Sequence, residues 1–240
     1  AMEHLLKKPK ILLTIGLLFI TLLCGCSSVN SMMGGNTQKE AKAEVSWGYQ
    51  KNGVMIELVS SNDLNFYANE PHTLVMGVYQ LSDSKTFMKM LSNVPQIMKS
   101  LETGKTEDGV LSLERYVVSP GRRTTMKIDR VQDARFIGIF AAYYQNRGSA
   151  SAARLFNVPL NISSEGVVTT TYFATPAVLA TRLYLGAEQI VNAEMLTYDP
   201  DKQKIIENVP LDLKNPEIKL TPEELSMQEQ SSQAAMRLTN

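Results

Sequence analysis

The arrangement of apolar and polar residues along the chain predicts a series of β-strands. Val54, Ile56 and Leu58 alternate with residues of the opposite face, which is the period of a half-buried strand. Residues 73–81 and 136–144 are apolar on both faces, as the central strands of a sheet are. Further strand patterns occupy residues 111–118, 124–128, 154–162, 167–174 and 182–196.

One segment changes from the strand period to a helical period. Between residues 86 and 101, apolar residues recur every three or four positions, which predicts an amphipathic helix that Pro95 kinks or splits. Residues 119–121 have turn chemistry, because proline presets φ and glycine accepts a positive φ. Many short strands, turns between them and one helical insertion indicate an all-β fold, an antiparallel β-sandwich over residues 47–196.

The last part of the chain, residues 197–240, has a different pattern and forms a predicted C-terminal extension. Thr221, Pro222 and Glu224 supply a helix cap, a proline suited to the first helical position and the glutamate of a capping box. We expect a short C-terminal helix over residues 222–238, with few apolar side chains available for docking.

The N-terminal residues have the pattern of an exported protein. Three lysines precede residues 11–23, an uncharged apolar run that as a helix would reach only about 20 Å, short of the roughly 30 Å core of a bilayer. This favours a signal peptide over a membrane span. The run ends in Leu23-Cys24-Gly25-Cys26, which looks like the lipobox of bacterial lipoproteins, with Cys26 as the lipidated residue. An ordinary secretory signal and a Cys-x-Cys metal or redox pair are the alternatives.

The residues around Cys26 then divide into a signal and a tether. Residues 1–25 are the predicted signal peptide, and residues 26–46 carry the lipid and a flexible tether, because they are polar and lack a sustained apolar period. About 18 such residues span on the order of 24 Å as a random coil. Several acyl chains on Cys26 make a stable anchor, whereas one chain does not. Apart from this covalent lipid we expect no cofactor.

Charge and the scarcity of cysteine and histidine argue against several classes of function. Without residues 1–25, which hold Glu3 and three lysines, 21 basic and 23 acidic residues remain, a net charge of −2 that is no footprint for nucleic acid. Cys26 is then the single cysteine, so no disulfide is expected. His72 is the single histidine, so neither a His-rich metal site nor, unless His72 is the base, a Ser-His-Asp triad is indicated. No residue cluster marks a small-molecule pocket.

A periplasmic enzyme that uses carboxylates is an alternative function. Glu102, Glu107, Asp108 and Glu114 follow the predicted helix closely, and two carboxyl groups could form an acid–base pair. The same stretch contains two glycines and a lysine, as a solvated loop does. We therefore expect the chain not to be an enzyme.

Several motifs follow one another in a distinctive order: the lipobox, Leu64-Asn65, Val78-Tyr79-Gln80-Leu81, Asp83 with Phe87, Pro120-Gly121 and the strand 137–144. In this order the chain, over about residues 54–144, resembles the outer-membrane lipoprotein of the type VI secretion membrane complex, the TssJ or SciN type. The resemblance implies a transthyretin-like β-sandwich with a helical insertion, anchored by lipid at the periplasmic face of the outer membrane. Ser27, in place of aspartate after Cys26, fits that destination.

The resemblance also implies a partner, the periplasmic domain of an IcmF-like (TssM-type) inner-membrane protein, which the chain would bind in helping to assemble the membrane complex. In that family the loop between the first two sandwich strands makes the contact, and here it maps to residues 61–70. The expected partner-binding residues are Asn62, Asp63, Leu64, Asn65, Phe66, Tyr67 and Asn69.

The residues of this loop support two interpretations on their own. Phe66 and Tyr67, framed by short polar side chains, are typical of interface anchors. Alternatively, one of these two aromatic rings folds back and closes the end of the sandwich, while the asparagines make Asx turns. At the level of function, a lipoprotein of another envelope machine, such as a pilotin or a conjugation-channel component, is the alternative.

Overall fold

Strands predominate in the computed structural model, which describes residues 30–145, 149–199, 204–206 and 217–218. The helices that lie wholly within these ranges are α1 Gln38–Ala43, α2 Ser84–Leu91, α3 Val94–Thr103 and α4 Ser149–Ala152. The strands are β1 Gln50–Ser60, β2 Leu74–Leu81, β3 Val110–Val118, β4 Arg123–Arg130, β5 Phe136–Ala141, β6 Ala153–Asn157, β7 Leu160–Glu165, β8 Thr171–Pro176, β9 Leu179–Leu185, β10 Ile190–Met195, β11 Thr197–Asp199, β12 Lys204–Ile206 and β13 Glu217–Ile218. Within the described ranges, no helix is long and apolar enough to cross a membrane.

The described residues form two compact units. The larger comprises residues 47–159 and those from 176 onward, and the smaller comprises residues 30–46 and 160–175. The larger unit contains a four-stranded sheet in the order β10-β9-β1-β4 and a five-stranded sheet in the order β13-β6-β5-β2-β3. One hydrophobic core draws on both sheets, so the predicted β-sandwich is confirmed.

One pairing departs from the predicted antiparallel arrangement. β1 and β9 run parallel, with Val54 opposite Leu179 and Ser60 opposite Leu185. Parallel neighbours need a long crossover connection, and the whole of β2 to β8 separates these two strands in the chain. Side-chain periodicity reports which face of a strand is buried but not its direction, so the pattern of β1 is the same in either case.

Two predicted strands are each divided by a turn or break. The segment 154–162 becomes β6 and β7, with Val158 and Pro159 between them, and proline cannot donate a ladder hydrogen bond. The segment 182–196 becomes the antiparallel pair β9 and β10, joined by a tight turn in which Gly186 N donates to Gln189 O at 2.9 Å. The second division adds the β9–β10 hairpin, whose turn lies at the end of the sandwich where β1 also ends.

The core follows the alternation seen in the sequence. Val54, Ile56 and Leu58 of β1 are buried in the main cluster between the sheets. Met55, on the other face of β1, belongs to a second small cluster with Ala180 and Leu196. Tyr198, in the predicted C-terminal extension, packs against this second cluster.

The predicted helical insertion consists of two helices that cover the outer face of the five-stranded sheet. Asn93 caps α3 and Pro95 lies in its first turn, so the chain breaks between α2 and α3 where the proline predicts a split. Glycines allow the close approach, because a Cβ on Gly77 would lie 2.5 Å from Leu101 and one on Gly138 would lie 2.6 Å from Phe87. The insertion is therefore packed on the sheet as a second layer.

A buried hydroxyl pair joins α3 to β2 and makes a first prediction. Tyr79 Oη and Ser100 Oγ lie 2.8 Å apart, and burial raises the pKa of Tyr79 to about 12, although the Ser100 bond acts in the opposite direction. We expect Tyr79→Phe to lower the free energy of unfolding by about 1 kcal/mol, since one buried hydrogen bond is lost while Ser100 keeps its bond to Ile97 O. Urea unfolding measures this difference.

The same unfolding experiment tests whether the hydroxyl groups of Tyr79 and Ser100 bond each other directly. Ser100→Ala, which removes the other partner, should cause a loss of similar size, and the double substitution should cost less than the sum of the two. Strictly additive losses would contradict a direct bond between the two side chains.

The smaller unit contains ordered structure within the predicted flexible tether. Thr37 and Glu40 form a reciprocal capping box, with Glu40 N donating to Thr37 Oγ1 at 3.2 Å and Thr37 N donating to Glu40 Oε2 at 2.7 Å. This local signal starts α1, although the segment has no apolar period to indicate it. The other component of the smaller unit is the two-stranded sheet of β7 and β8.

Several sequence predictions fall on residues that the structure does not describe. The signal peptide 1–25, the lipidated residue Cys26 and the helix over residues 222–238 lie outside the described ranges. Of the C-terminal extension, β11 and β12 form a short antiparallel pair, and β13 pairs with β6 at the edge of the five-stranded sheet.

Candidate functional site

The loop between β1 and β2 is fixed to neighbouring connections by backbone hydrogen bonds. Ser61 N donates to Leu185 O at 2.9 Å, and Phe66 N donates to Ala187 O at 2.8 Å. Both acceptors lie at the turn between β9 and β10. Gly121 N, in the β3–β4 turn, donates to Ser61 O at 3.0 Å. The predicted partner-binding loop therefore lies at one end of the sandwich, held between two other connections.

Two of the predicted binding residues are buried and stabilise the loop. Leu64 is part of the hydrophobic core, and Asn65 is only 2% exposed with a positive φ of 50°. Asn65 Nδ2 donates to Thr73 O at 2.8 Å, while Asn65 Oδ1 accepts from Tyr144 N at 2.8 Å. Its side chain thus joins the far end of its own loop to the residues that follow β5.

A tight turn at the tip of the loop brings Tyr67 to the surface. Tyr67 N donates to Glu70 O at 3.0 Å and Glu70 N donates to Tyr67 O at 3.1 Å. Between them, Ala68 and Asn69 both have positive φ, at 51° and 65°, which is the backbone of a type I′ turn. Asn62, Asp63 and Asn69 are exposed, and Phe66 is half-buried.

Three aromatic rings meet beside this turn and form what we call the aromatic cluster, Tyr67, His72 and Tyr144. The ring centroid of Tyr144 lies 5.2 Å from that of Tyr67 and 5.2 Å from that of His72. His72 Nε2 lies 3.0 Å from Tyr67 O, and His72 N donates to Leu64 O. Tyr67 is 50% exposed and Tyr144 is 63% exposed, so the cluster offers two accessible phenol rings on a fixed backbone.

An exposed apolar pair continues from the cluster along the five-stranded sheet. Val75 of β2 lies opposite Val117 of the edge strand β3, and both are exposed. Ala142, two residues before Tyr144, donates its N–H to Val75 O at 2.9 Å. We call the surface made by the aromatic cluster with Val75 and Val117 the loop-end face.

The structure divides the roles of the predicted loop residues. Leu64 and Asn65 close the end of the sandwich from inside, whereas Tyr67 points its ring towards solvent beside Tyr144. The sequence does not single out Tyr144 or His72 for this surface, because their proximity to Tyr67 depends on how β5 and β2 pair. Whether the seven loop residues bind a partner remains a prediction.

The family of the chain follows from the segment that contains this site. Residues 52–169, from β1 to the β7–β8 connection, match the family described as "Type VI secretion lipoprotein, VasD, EvfM, TssJ, VC_A0113". Over these residues, the chain belongs to the type VI secretion lipoprotein family. None of the curated proteins matches the chain.

Among solved structures, the chain is similar to TssJ1 from Pseudomonas aeruginosa, a lipoprotein of the type VI secretion system. The two are 18% identical with a TM-score of 0.42, and the match covers 63% of this chain and 98% of TssJ1. Serratia marcescens Lip, a membrane-bound component of that system, is 15% identical with a TM-score of 0.40, covering 60% and 96%. A structure described as the TssM C-terminal domain from EAEC is 14% identical with a TM-score of 0.41, covering 60% and 97%.

Three of the carboxylates considered for an enzyme are bonded to a tyrosine or exposed to solvent in this type VI secretion lipoprotein domain. Glu114 accepts a hydrogen bond from Tyr116 Oη, and burial together with this carboxylate raises the pKa of Tyr116 well above its usual range. Glu102 and Asp108 are exposed. In the part of the chain that the structure describes, no three His, Cys, Asp or Glu side chains group as a metal site requires. The family is one of structural lipoproteins.

An ion-pair network lies on the outer face of the four-stranded sheet. Glu57 of β1 is buried and accepts from Arg123 Nε and from Arg182 Nε, the latter at 2.8 Å. Arg182 Nη1 also lies 3.4 Å from Glu194 Oε2, to which Tyr184 Oη donates at 3.2 Å. Burial raises the pKa of Glu57, but the bonds from the two arginines outweigh it and hold the pKa below its ordinary value.

Proposed function

We propose that this chain is a lipoprotein anchored through acylated Cys26 at the periplasmic face of the outer membrane. There it would bind the periplasmic domain of an IcmF-like (TssM-type) inner-membrane protein and help to assemble the type VI secretion membrane complex. The observation that carries the proposal is the exposed ring of Tyr67, on a loop with a fixed backbone, beside the exposed ring of Tyr144, which follows β5. Membership of a secretion lipoprotein family supports it.

The physical argument for this face rests on its rings and its rigidity. Tyrosine supplies a large, amphipathic contact area with few rotatable bonds, which is why tyrosines are frequent energetic anchors of interfaces. A loop already fixed by hydrogen bonds to two other connections loses little conformational freedom on binding. The adjacent exposed valines, Val75 and Val117, add apolar area that a partner can cover.

This proposal predicts that Tyr67→Ala weakens binding. We expect the dissociation constant for the periplasmic domain of the IcmF-like partner to rise by more than about five-fold, or about 1 kcal/mol, because an anchor ring is removed. Calorimetric titration of residues 27–240 with that domain measures the change. Tyr144→Ala should produce a loss of similar size.

The matched control is Tyr49→Ala. Tyr49 is also exposed, at 61%, but it precedes β1 and so lies at the opposite end of that strand from the loop. The control should bind as the unsubstituted protein does. Equal binding by all three variants would contradict the role of the loop-end face, and capture of a pilus or conjugation component instead of the IcmF-like protein would favour the alternative function.

The anchor has its own test in intact cells. The mass of the mature protein should include a diacylglycerol and an amide-linked acyl chain, and Cys26→Ser should abolish both and release the protein from the outer-membrane fraction. An unmodified mature protein that still fractionates with the outer membrane would refute the lipid anchor while leaving the partner assay valid.

A further inference from the structure

The β7–β8 hairpin carries exposed apolar residues that the proposed partner surface does not use. Val167 and Val168, in its connecting loop, are fully or almost fully exposed, the latter at 83%. Ile162 of β7 and Phe173 of β8 are also exposed. In the described ranges, β7 and β8 pair only with each other.

Such a hairpin needs a covering surface. A two-stranded sheet on its own is marginally stable in water, and adjacent exposed valines at a loop tip are unfavourable there. The composition restricts what the cover can be, because Glu165 is the single charged residue between residues 160 and 176. Serine, threonine and small apolar residues make up most of the remainder, which is compatible with the interfacial region of a bilayer.

The hairpin is joined to the segment that follows the predicted lipidation site. Asn30 Oδ1 accepts from Thr170 N at 2.6 Å, and Asn30 Nδ2 donates to Thr170 O at 2.7 Å. Asn36 repeats the arrangement with Tyr172, accepting at 2.5 Å and donating at 2.9 Å. Two asparagine side-chain amides thus bond the backbone of two alternate residues on the β8 side of the hairpin.

The distance along the chain to the lipid is short. Asn30 comes four positions after Cys26, which allows at most about 14 Å of extended chain between the acylated residue and the hairpin contact. Met32 and Met33, two and three positions after Asn30, are exposed as well, and no charge occurs between Cys26 and Thr37. The smaller unit therefore carries exposed, uncharged side chains close to the predicted point of membrane attachment.

We propose that the tip of the β7–β8 hairpin, with Val167 and Val168, rests in the interfacial region of the same phospholipid leaflet that holds the acyl chains of Cys26. This inference rests on the proposed lipid anchor. The lipid chains supply the affinity and the valines fix the orientation, because two exposed valines alone are too small an apolar area for stable membrane binding. The tip is uncharged, and Asn30 joins its hairpin to a residue four positions after Cys26, which favours lipid over a protein as its cover.

The test uses the acylated full-length mature protein in vesicles of phosphatidylethanolamine and phosphatidylglycerol. Cys26 is the only cysteine of the mature chain, so Val168→Cys introduces one reactive thiol, which is labelled with an environment-sensitive fluorophore. Val191→Cys is the matched control, an exposed valine in β10 of the larger unit. We expect a water-soluble quencher to reach the label at position 168 about three-fold less well than the control label, and lipid-borne quenchers to reach it better.

Three results would overturn the inference. Equal quenching at positions 168 and 191, in protein that floats with the vesicles and still binds the IcmF-like domain, refutes the membrane contact but leaves the proposed function intact. Protection at position 168 that requires the added partner domain assigns the hairpin to a protein surface instead. A mature protein without acyl chains overturns both the anchor and the contact. If the contact is present, adding Val167→Ser to the labelled Val168→Cys protein should restore access of the water-soluble quencher to the label.

Discussion

Replacing Asn65 by alanine is expected to lower the free energy of unfolding by about 3 kcal/mol. Two contributions add. The amide of Asn65 bonds Thr73 O and Tyr144 N, and their loss leaves partly buried backbone groups without a partner, at about 2 kcal/mol in total. Alanine also tolerates the positive φ of 50° less well than asparagine, by about 1 kcal/mol. Urea unfolding followed by circular dichroism measures the sum.

Asn69→Ala separates the two contributions. Asn69 has a similar positive φ, 65°, but it is exposed at the tip of the same loop. It should therefore lose only the conformational part, about 1 kcal/mol. If Asn65→Ala costs no more than Asn69→Ala, the side-chain bonds of Asn65 do not stabilise the loop. If the larger loss is found, any binding defect of an Asn65 variant reflects a displaced loop, and Tyr67→Ala is the cleaner test of the surface.

Replacing Glu57 by glutamine is expected to cost about 2 kcal/mol, the second largest effect. The carboxylate of Glu57 is buried between Arg123 and Arg182, and glutamine leaves the buried guanidinium of Arg182 with weaker compensation. The control is Glu194→Gln, because the carboxylate of Glu194 is more exposed and lies 3.4 Å from Arg182, so its loss should cost well under about 1 kcal/mol. Equal losses for both variants would contradict a special role for the buried pair.

The same substitution changes the dependence of stability on pH. The pKa of Glu57 in the folded protein lies below its ordinary value of 4.5, so the folded state favours the carboxylate more than the unfolded state does. The resulting stabilisation is fully present above that ordinary value and is lost as the pH falls through the folded pKa. Between pH 7 and the acid range, the wild-type protein should therefore lose more stability than Glu57→Gln. Parallel stability curves for the two proteins would refute the ion pair as the cause.

The fold could be predicted from sequence wherever one face of an element is buried. The alternation in β1 and the three-to-four spacing in α2 and α3 reflect burial directly, and Pro95 divides the helices because its ring and missing N–H interrupt a helix. The parallel pairing of β1 with β9 could not be predicted in the same way. Periodicity reports a buried face, whereas strand direction is set by contacts between segments far apart in the chain.

The candidate site could be predicted only in part for the same reason. Composition marks Phe66 and Tyr67 as aromatics in a polar loop, but it does not say which asparagine is buried. Asn65 is buried because its amide meets Tyr144 N, 79 positions away, and that contact also places the Tyr144 ring beside Tyr67. The ordering of the segment before β1 is not predictable from its own residues, because Asn30 and Asn36 bond a hairpin about 140 positions further along the chain.

The pairing of Asn30 with Thr170 has a consequence for the order in which parts of the chain can fold. The two residues are 140 positions apart, so the segment that contains Asn30 cannot join its hairpin until residue 170 is free to fold. Closing so long a loop is also entropically unfavourable before the intervening sheets have formed. The segment that contains Asn30 and Asn36 therefore joins its hairpin late in folding, and under the proposed lipid anchor this order leaves time for Cys26 to be acylated before the smaller unit forms.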